Sequence, residues 1–396
     1  MKALLIINAG SSSLKFAIFA LPIEEGSQSL FRGQIDGIGA EIKFVAKDVD
    51  GKTVLDDVIS VPAGTDLETQ QQLALDSLLS WVEAQHIELA AAGHRVLHGG
   101  EDYSAPVRIT PQVLEKLTEF IPLGPLHQPH NLRPIRALAK KYPSLPQVAC
   151  FDTAFHRTQP WLAQTYAIPR KITAEGVKRY GFHGSSYDYV SRQLPAVLGE
   201  KAHGAVVIAH LGNGASMAAL RDLKCVATSM GFTAAEGLMM GTRTGSIDPG
   251  VLLYMVEQHG YTADDLVRFI YKDSGLLGVS GISQDMRTLE NSSAPEAREA
   301  IELFCYRAAR EIGSLAMASG GLDALVFTGG IGENSGNARA GILKYLEWMG
   351  AVLDPEANKQ RGVALRIDAA SSRVAVAVVP TNEEWMIAYH TVNLLD

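Results

Sequence analysis

Residues 205–214 read AVVIAHLGNG, an apolar run that ends in a glycine-rich segment, and this pattern decides the fold class. The same pattern occurs where residues 3–7 lead into NAGSSS and where residues 324–327 lead into TGGIGEN. Continuous apolar runs of this length are typical of strands that are buried on both faces. Loops at the carboxyl ends of such strands bind ligands in open α/β sheets. Together the three loops favour phosphate or nucleotide binding more than any one of them does.

Further strands and helices are predicted in the segments between and beyond these three runs. The additional strands are Ala91–Leu97, Val148–Phe151 and Val374–Val379. The helical patterns are Leu67–Ala84, Pro111–Phe120, Ala294–Ser319 and Ala338–Met349. Strands that alternate with helices predict an α/β fold. Because the strand–glycine pattern occurs early and again past residue 200, we expect a duplicated architecture, with a domain boundary near residue 150.

Composition excludes several classes of protein. The 396 residues carry a formal net charge of −8, which argues against a dedicated nucleic-acid binder. No apolar run approaches a membrane span, and the first run is too short for a signal peptide. Three cysteines, far apart in apolar surroundings, predict no disulfides and a cytoplasmic location. The sequence contains neither a CxxC nor an HExxH motif, so a zinc site of a familiar type is not supported.

Each glycine loop has an alternative interpretation, and for the first two loops it is a simple turn. The loops after Ile7 and Ala209 could be plain hairpin turns, and the Asn-Gly pair at 213–214 is a strong hairpin signal. The third loop has the pattern GxGxxxG, which is too widely spaced and too late in the chain for a dinucleotide-binding fingerprint. No GxxxxGK[ST] motif occurs, so a P-loop ATPase is disfavoured.

Five charged or titratable residues stand in settings that suggest chemistry. Arg95 lies in an apolar run, where a buried guanidinium needs an anionic partner; that partner is either a structural carboxylate or a ligand. Arg243 lies in a loop of small residues, Asp152 ends a strand, and His183 lies next to Gly184. Glu383 could hold Mg²⁺ or simply cap the terminal helix. Histidine pairs at 94/98 and 127/130 lack neighbours at metal-ligand spacing.

Several segments, in order along nearly the whole chain, resemble the acetate kinase family. They are Asn8–Lys15, Gly93–Glu101, Phe151–His156, Tyr180–Ser186, His210–Ser216, Thr228–Gly231, Gly241–Pro249, Phe327–Ser335 and Pro380–Glu384. The resemblance implies two duplicated domains of the actin-like ATPase (ribonuclease H-like) superfamily, hinged around a nucleotide cleft. We expect one domain to comprise residues 1–150 with 385–396, and the other residues 151–384.

The resemblance also implies a reaction. The expected activity is reversible transfer of the ATP γ-phosphoryl group to acetate, by direct in-line transfer, giving ADP and acetyl phosphate, which leads toward acetyl-CoA. Mg²⁺ is the expected cofactor, with Mn²⁺ as an alternative ion. The expected partners are acetate, ATP and a second copy of the chain, with no nucleic acid and no membrane.

Roles are carried over only where residues match the family's motifs. Asn8 and Glu383 resemble the metal-site residues, and Arg95 resembles the carboxylate-binding arginine. Asp152 resembles the catalytic aspartate, and His183 and Arg243 resemble the transition-state stabilisers. The residues that resemble nucleotide contacts are Lys15, His210, Leu211, Gly212, Asn213, Gly214, Asp285, Met286, Arg287, Gly330, Ile331, Gly332, Glu333 and Asn334.

The acyl pocket is expected to distinguish acetate from longer acids. By resemblance Leu97, Leu126 and Phe182 line it, with Ala234 nearby. Leu97 stands where acetate kinases commonly have valine, and a bulkier leucine would favour acetate. Ala234 stands where the family usually has proline, which leaves the preference open. Tyr187 stands where many members have histidine.

Three other activities compete with this interpretation. A propionate or butyrate kinase would differ in its acyl-chain preference. A non-catalytic nucleotide switch of the actin and heat-shock type would not need Arg95 and Arg243 in small-residue settings. A Rossmann oxidoreductase would bind NAD(P)H. Formation of acetyl hydroxamate from ATP, Mg²⁺, acetate and hydroxylamine separates the kinase from the last two.

Overall fold

The computed structural model describes residues 1–62 and 64–395, and the chain forms two compact units. Unit 1 comprises Met1–Ala154 and Asn382–Asp396, and unit 2 comprises Phe155–Thr381. Each unit contains one sheet with helices packed against it. Each unit is therefore described by itself.

Unit 1 is built on an eight-stranded mixed sheet. Its strands are β1 (Lys2–Ala9), β2 (Ser13–Ala20), β3 (Phe31–Asp36), β4 (Ile42–Asp48), β5 (Thr53–Ile59), β6 (Glu88–Val96), β7 (Val107–Arg108) and β8 (Gln147–Phe151). Their order across the sheet is β5-β4-β3-β2-β1-β6-β8-β7. The central strand β1 pairs antiparallel with β2 and parallel with β6, and β6 pairs parallel with β8. Three parallel strands therefore end at the same edge of the sheet.

Helices cover the sheet of unit 1. They are α1 (Leu67–Ala84), α2 (Pro111–Glu119) and α3 (Gln128–Lys141). Helix α1 begins after Asp66, whose carboxylate accepts a hydrogen bond from the Thr69 amide, as an N-cap residue does. Its apolar face joins a core that includes Leu5, Phe16 and Leu78, all of them buried. This packing fixes the strands that carry the site residues.

Unit 2 contains a six-stranded sheet of the same kind. Its strands are β9 (Ala205–His210), β10 (Ser216–Arg221), β11 (Lys224–Thr228), β12 (Ala324–Thr328), β13 (Leu365–Arg366) and β14 (Ala375–Val378). Their order is β11-β10-β9-β12-β14-β13. Strand β9 pairs antiparallel with β10 and parallel with β12, and β12 pairs parallel with β14.

The remaining helices follow in chain order. Ten α-helices lie in unit 2 within the described residues: α4 (Trp161–Gln164), α5 (Arg170–Ala174), α6 (Gly184–Leu198), α7 (Pro249–His259), α8 (Ala263–Tyr271), α9 (Gly275–Ser280), α10 (Met286–Glu290), α11 (Pro295–Ala318), α12 (Gly329–Asn334) and α13 (Gly336–Leu343). The terminal helix α14 (Glu383–Val392) belongs to unit 1, where it contacts β1, β6 and β8. Short 3₁₀ helices occupy Ile121–Leu123, Ala154–Thr158, Gly199–His203, Glu347–Met349 and Ala357–Lys359.

The two sheets repeat one arrangement. In each, the first strand of the unit pairs antiparallel with the second and parallel with a later strand, which pairs parallel with another. The second strand pairs antiparallel with the third in both sheets. The predicted α/β fold with two duplicated, actin-like halves is confirmed.

Two local expectations differ from the structure. The predicted helix Ala338–Met349 ends at Leu343, and a tighter 3₁₀ turn at Glu347–Met349 follows. Burial continues to Leu346, so the apolar spacing alone could not locate this end. The glycine loop after β12 is the first turn of α12 rather than an open loop.

Other expectations concern the chain as a whole. Within residues 1–62 and 64–395, no helix is both long enough and apolar enough for a membrane crossing. Cys150, Cys225 and Cys305 are buried and form no disulfide. Burial raises the pKa of the Cys225 thiol, so this cysteine is a poor nucleophile.

Candidate active site

An ion pair between Arg95 and Asp152 lies at the carboxyl edge of the sheet in unit 1. Arg95 is near the end of β6 and Asp152 follows β8, and the parallel register places Arg95 beside Cys150. Arg95 donates from Nε to Oδ1 at 2.9 Å and from Nη2 to Oδ2 at 2.7 Å. This two-point geometry fixes the plane of the guanidinium. Asp152 is 1% exposed, whereas the Arg95 side chain is 22% exposed and reaches solvent.

Two further predicted residues join this pair. Glu383 Oε2 lies 3.8 Å from Arg95 Nε, and Arg95 Nη1 donates to Asn8 Oδ1 at 3.5 Å. Although burial disfavours the charged guanidinium, Asp152 and Glu383 more than offset it and raise the pKa of Arg95 above its ordinary value. The structure thus brings together Asn8, Arg95, Asp152 and Glu383, which we name the arginine–carboxylate cluster.

Glu384 is a charged neighbour of this cluster that the sequence analysis did not select. Burial and the adjacent Glu383 raise the pKa of Glu384, while Lys15 and Arg95 oppose that shift. Both glutamates lie in the first turn of α14, which Asn382 caps by accepting from the Trp385 amide. A helix N-terminus favours carboxylates there. The motif NEE at 382–384 was the signal that could have identified Glu384.

The loop after β1 is a hairpin, as its turn interpretation predicted, and two buried amides hold it. Asn131 donates to the Ala9 carbonyl at 2.7 Å and accepts from the Leu97 amide at 2.9 Å. Gln71 donates to the Ser11 carbonyl at 2.6 Å. These contacts fix the loop and keep the predicted phosphate contact Lys15 in register with Asn8, its partner across the hairpin.

Two histidines form the centre of the site in unit 2. His183 is the N-cap of α6 and adopts a left-handed conformation with φ of 60°, and His210 ends β9. Their rings stack with centroids 4.4 Å apart. A left-handed non-glycine residue is uncommon and often marks a functional site. His210 also begins the hairpin that contains Asn213 and Gly214.

Arg243 approaches the same hairpin. A Cβ at Gly214 would lie 3.5 Å from His183 Nε2 and 3.6 Å from Arg243 Nη1. Arg243 Nη1 donates to the Ala234 carbonyl at 2.9 Å. A carbonyl oxygen orients a guanidinium without cancelling its charge. His183 and Arg243, the two predicted charge stabilisers, therefore flank the backbone of one glycine.

Most of the predicted nucleotide contacts line one cleft of about 700 Å³ in unit 2. Its predicted lining residues are Gly212, Asn213, Asp285, Met286, Arg287, Gly330, Ile331 and Asn334. The volume lies within the range of about 300–1,000 Å³ that is typical of small-molecule sites. The same cleft is lined by Gln284, Glu290, Ser335 and Arg361, which the sequence analysis missed. Ser335 ends the segment Phe327–Ser335 and could have been found from it, whereas Gln284, Glu290 and Arg361 lie outside the matched segments and reach the cleft only through folding.

The two glycine segments of the cleft are joined through Leu211. Its carbonyl accepts from the amides of Ile331 at 2.7 Å and Gly332 at 3.1 Å. Gly241 packs so closely on Asn213 that a Cβ there would lie 1.8 Å from Asn213 Oδ1. A side chain at position 241 would therefore displace the Asn213 amide from its place in the cleft.

Glu333 has a structural role within this arrangement. Its Oε1 accepts from the amides of Gly329 at 2.9 Å and Thr381 at 3.0 Å. The carboxylate thereby joins the start of α12 to the segment that follows β14. A direct contact of Glu333 with nucleotide stays a prediction.

A buried arginine supports the cleft from beneath. Arg339 is fully buried and donates to the carbonyls of Gly332 at 2.8 Å and Glu333 at 3.0 Å. It also donates to both oxygens of Asn358, at 2.7 and 2.6 Å. Burial lowers the pKa of Arg339 to about 10. An arginine inside a helical apolar pattern was a signal that the sequence analysis did not use.

The predicted acyl-pocket residues are divided between the units. Leu97 and Leu126 belong to unit 1, while Phe182 and Ala234 belong to unit 2. Phe182 and Ala234 are buried, Leu97 is half-buried, and Leu126 is 39% exposed. Their joint role in substrate selection stays a prediction.

The side chains near Arg95 limit which metal ion this site could hold. Among the described residues, no group of three or more His, Cys, Asp and Glu side chains is arranged to hold a metal ion. The amide oxygen of Asn8 and the carboxylate of Glu383 suit Mg²⁺, which is usually held by one or two carboxylates, waters and substrate phosphates. These residues therefore fit an ion that arrives with a nucleotide.

Comparison with known proteins agrees with this geometry. The family model described as the acetokinase family matches residues 3–389. Acetate kinase of Rhodopseudomonas palustris (strain ATCC BAA-98 / CGA009) is 50% identical over 99% of this chain and 98% of its own. The crystal structure of Porphyromonas gingivalis acetate kinase has a TM-score of 0.89 at 38% identity, with all of both chains covered. A propionate kinase from Francisella tularensis gives the same TM-score, identity and coverage. The chain belongs to the acetokinase family.

Proposed function

We propose that the protein transfers the γ-phosphoryl group of ATP to acetate, with Mg²⁺, and catalyses the reverse reaction. The observation that carries this proposal is the Arg95–Asp152 pair at the solvent-accessible edge of unit 1. Asp152 occupies the Nε and one Nη2 donor of Arg95. A guanidinium has five N–H donors. The opposite side of Arg95 can therefore bind a substrate carboxylate.

The chemistry requires alignment and charge neutralisation more than a base. Acetate is already an anion and a nucleophile, and phosphoryl transfer passes through a loose transition state with charge on the equatorial oxygens. Arg95 orients the acceptor, and Asp152 orients Arg95. Arg243 and His183 donate to the transferring phosphoryl group. Donors placed in advance at developing charge are worth about 10²–10³ in rate each.

Asn8 and Glu383 are the residues that would hold Mg²⁺. The ion would offset the negative charge of the nucleotide phosphates. Lys15 and the segment from His210 to Gly214 would contact the phosphates. The cleft lined by Asp285, Arg287 and Gly330 would receive the nucleoside.

The first test is the formation of acyl hydroxamate from ATP, Mg²⁺, hydroxylamine and a series of short acids. We expect the highest kcat/KM with acetate. The half-buried Leu97 packs against Gly124, where an added Cβ would lie 2.7 Å from Leu97 Cδ2, so the leucine has little room to move. One methylene is worth about 1–3 kcal/mol in such pockets, so propionate should be poorer but not excluded. Absence of any hydroxamate would reject the kinase assignment.

A propionate kinase is the second candidate function. Ala234, in place of the usual proline, could widen the pocket, and the Francisella propionate kinase is as similar in fold as the acetate kinase. A higher kcat/KM for propionate than for acetate would support this alternative. Hydrolysis of ATP without any acyl acceptor would instead support a nucleotide switch.

We further propose a homodimer located in the cytoplasm. Helix α7 has no buried residue and carries apolar side chains on its surface, including Leu253, Tyr254 and Val256. Exposed apolar patches mark protein interfaces. Light scattering after gel filtration should give twice the chain mass, and Leu253→Asp should lower it toward the monomer. A monomeric wild-type protein would contradict the dimer.

A further inference from the structure

The stacked histidines of unit 2 are held by a crossed pair of serines. His183 Nδ1 lies 2.8 Å from Ser216 Oγ, on β10, and His210 Nδ1 lies 2.8 Å from Ser186 Oγ, on α6. Each serine thus comes from the segment that contains or follows the other histidine. Both serines are fully buried. The Nδ1 atoms are therefore fixed from inside the protein.

Ser216 has a second hydrogen-bond partner, Tyr187. Its Oγ lies 2.6 Å from the hydroxyl of Tyr187, which is fully buried one turn into α6. The Tyr187 ring is held by Phe155, stacked at 5.8 Å, and by His156, edge-on at 5.3 Å. The tyrosine hydroxyl, the serine hydroxyl and the imidazole form a continuous chain.

The greater acidity of the phenol hydroxyl favours one direction of donation along this chain. Tyr187 and Ser216 each have one O–H, and a neutral imidazole has one donor and one acceptor. If the acidic phenol donates to Ser216, then Ser216 donates to His183 Nδ1, and the ring proton must reside on Nε2. Hydrogen bonds in such a chain strengthen one another in a buried site. Nε2 is the atom that faces Gly214.

We infer that Tyr187 and Ser216 are positioning residues that hold His183 as the Nε2–H tautomer, aimed at the transferring phosphoryl group. This inference rests on the proposed function, since it assigns His183 as a donor in phosphoryl transfer. Tyr187 and Ser216 are both fully buried, so they act through His183.

Kinetics of Ser216→Ala and Tyr187→Phe test the inference. Small misplacements of a catalytic group can lower the rate by about 10²-fold, so we expect kcat to fall 10- to 100-fold in Ser216→Ala and less in Tyr187→Phe. The KM for ATP should change less than about 2-fold, because binding interactions common to ground and transition states are kept. Ser191→Ala is the matched control. Ser191 is buried on the same helix, and its hydroxyl bonds the Asp188 carbonyl at 2.9 Å. Its kcat should stay at the wild-type value.

A double-mutant cycle separates positioning from a general effect on the fold. In a His183→Ala background, Ser216→Ala and Tyr187→Phe should cause no further loss of kcat, because their effect passes through His183. Equal fold-losses in both backgrounds would overturn the inference. If His183→Ala keeps wild-type kcat, the role of His183 in the proposed function fails instead.

A second measurement does not depend on activity. Long-range ¹H–¹⁵N spectra of ¹⁵N-histidine-labelled wild-type protein report which ring nitrogen carries the proton. The His183 signals are assigned by their loss in His183→Ala. We expect an Nε2–H imidazole in the wild type and a mixture of tautomers in Ser216→Ala. An Nδ1–H imidazole in the wild type would contradict the proposed direction of the chain.

Discussion

Arg95 in unit 1 and Arg339 in unit 2 are both held by oxygen atoms, yet their pKa values move in opposite directions. Arg95 is bound through two atoms by the Asp152 carboxylate, which together with Glu383 raises its pKa. The hydrogen bonds of Arg339 within the described residues go to three backbone carbonyls and one side-chain amide oxygen. Burial therefore lowers its pKa to about 10.

The difference assigns separate tasks to the two residues. A guanidinium compensated by a carboxylate and still partly exposed keeps its charge and can receive a second anion. A guanidinium surrounded by carbonyls acts as a donor that ties backbone segments together. Arg95 is therefore suited to substrate binding, and Arg339 to holding the segment that carries Gly332 and Glu333.

A third arginine should give the largest effect. Arg243 is oriented by the Ala234 carbonyl rather than by a structural scaffold of four oxygens. Arg243→Ala should lower kcat about 10³-fold or more while the KM for ATP rises far less, because the lost donor acts in the transition state. Steady-state kinetics with varied ATP measures this. Near-normal turnover would show that Arg243 does not stabilise the transferring group.

Arg95→Lys tests the first half of the comparison. Lysine keeps the charge but cannot bind Asp152 at two points and acetate at once. We expect kcat/KM for acetate to fall about 10²-fold, with the KM for ATP changed less than about 2-fold. A parallel rise in both KM values would indicate a general structural defect.

Arg339→Lys is the matched change in unit 2 and should have the opposite pattern. A lysine has three donors on one atom and cannot reach all four oxygens. Some buried carbonyls would lose their partner, at about 1–3 kcal/mol each, and the cleft would shift. We expect the KM for ATP to rise about 10-fold with little change in the KM for acetate. A selective loss of acetate binding would break the comparison.

The smallest expected effect is on the pH dependence of stability, and it comes from His94, the residue before Arg95. His94 is buried on β6 and lies 2.8 Å from Gln147, and burial lowers its pKa to about 4. An unfolded chain binds a proton at His94 near pH 6.5, whereas the native protein does so only near pH 4. Stability should therefore be complete above about pH 6.5 and decrease as the pH falls. The decrease between pH 7 and 5 is about 2 kcal/mol.

Urea unfolding at the two pH values, followed by Trp fluorescence, measures this difference. His94→Gln should reduce the pH dependence, because the amide does not titrate in this range. His86→Asn, at an exposed position, is the control and should retain it. An unchanged pH dependence in His94→Gln would exclude His94 as the source.

Much of the fold could be predicted because its strands are unusually apolar. Buried parallel strands need continuous Val, Ile, Leu and Ala, and β9, β12 and β14 have this composition. Short or exposed elements have weaker signals: β5 lies at a sheet edge, is largely exposed, and was not among the strands predicted from the sequence. Helix α13 ends at Leu343, although buried residues continue to Leu346, so the apolar pattern extends beyond the helix.

Sequence by itself determined the residue types of the site and the edge at which they lie. Strands β6 and β8 are parallel, so their carboxyl ends lie at the same edge of the sheet. Arg95 near the end of β6 and Asp152 directly after β8 are therefore close together. Motif order was enough to nominate His183, His210 and Arg243.

Tertiary structure alone decided how these groups are held. Ser216 and Tyr187 reach His183, and Arg339 reaches Gly332 and Glu333, through contacts between distant segments. Such partners have no fixed spacing in sequence. Hydrogen bonds depend on distance and angle in space, so only the folded chain selects which hydroxyl or carbonyl meets each side chain.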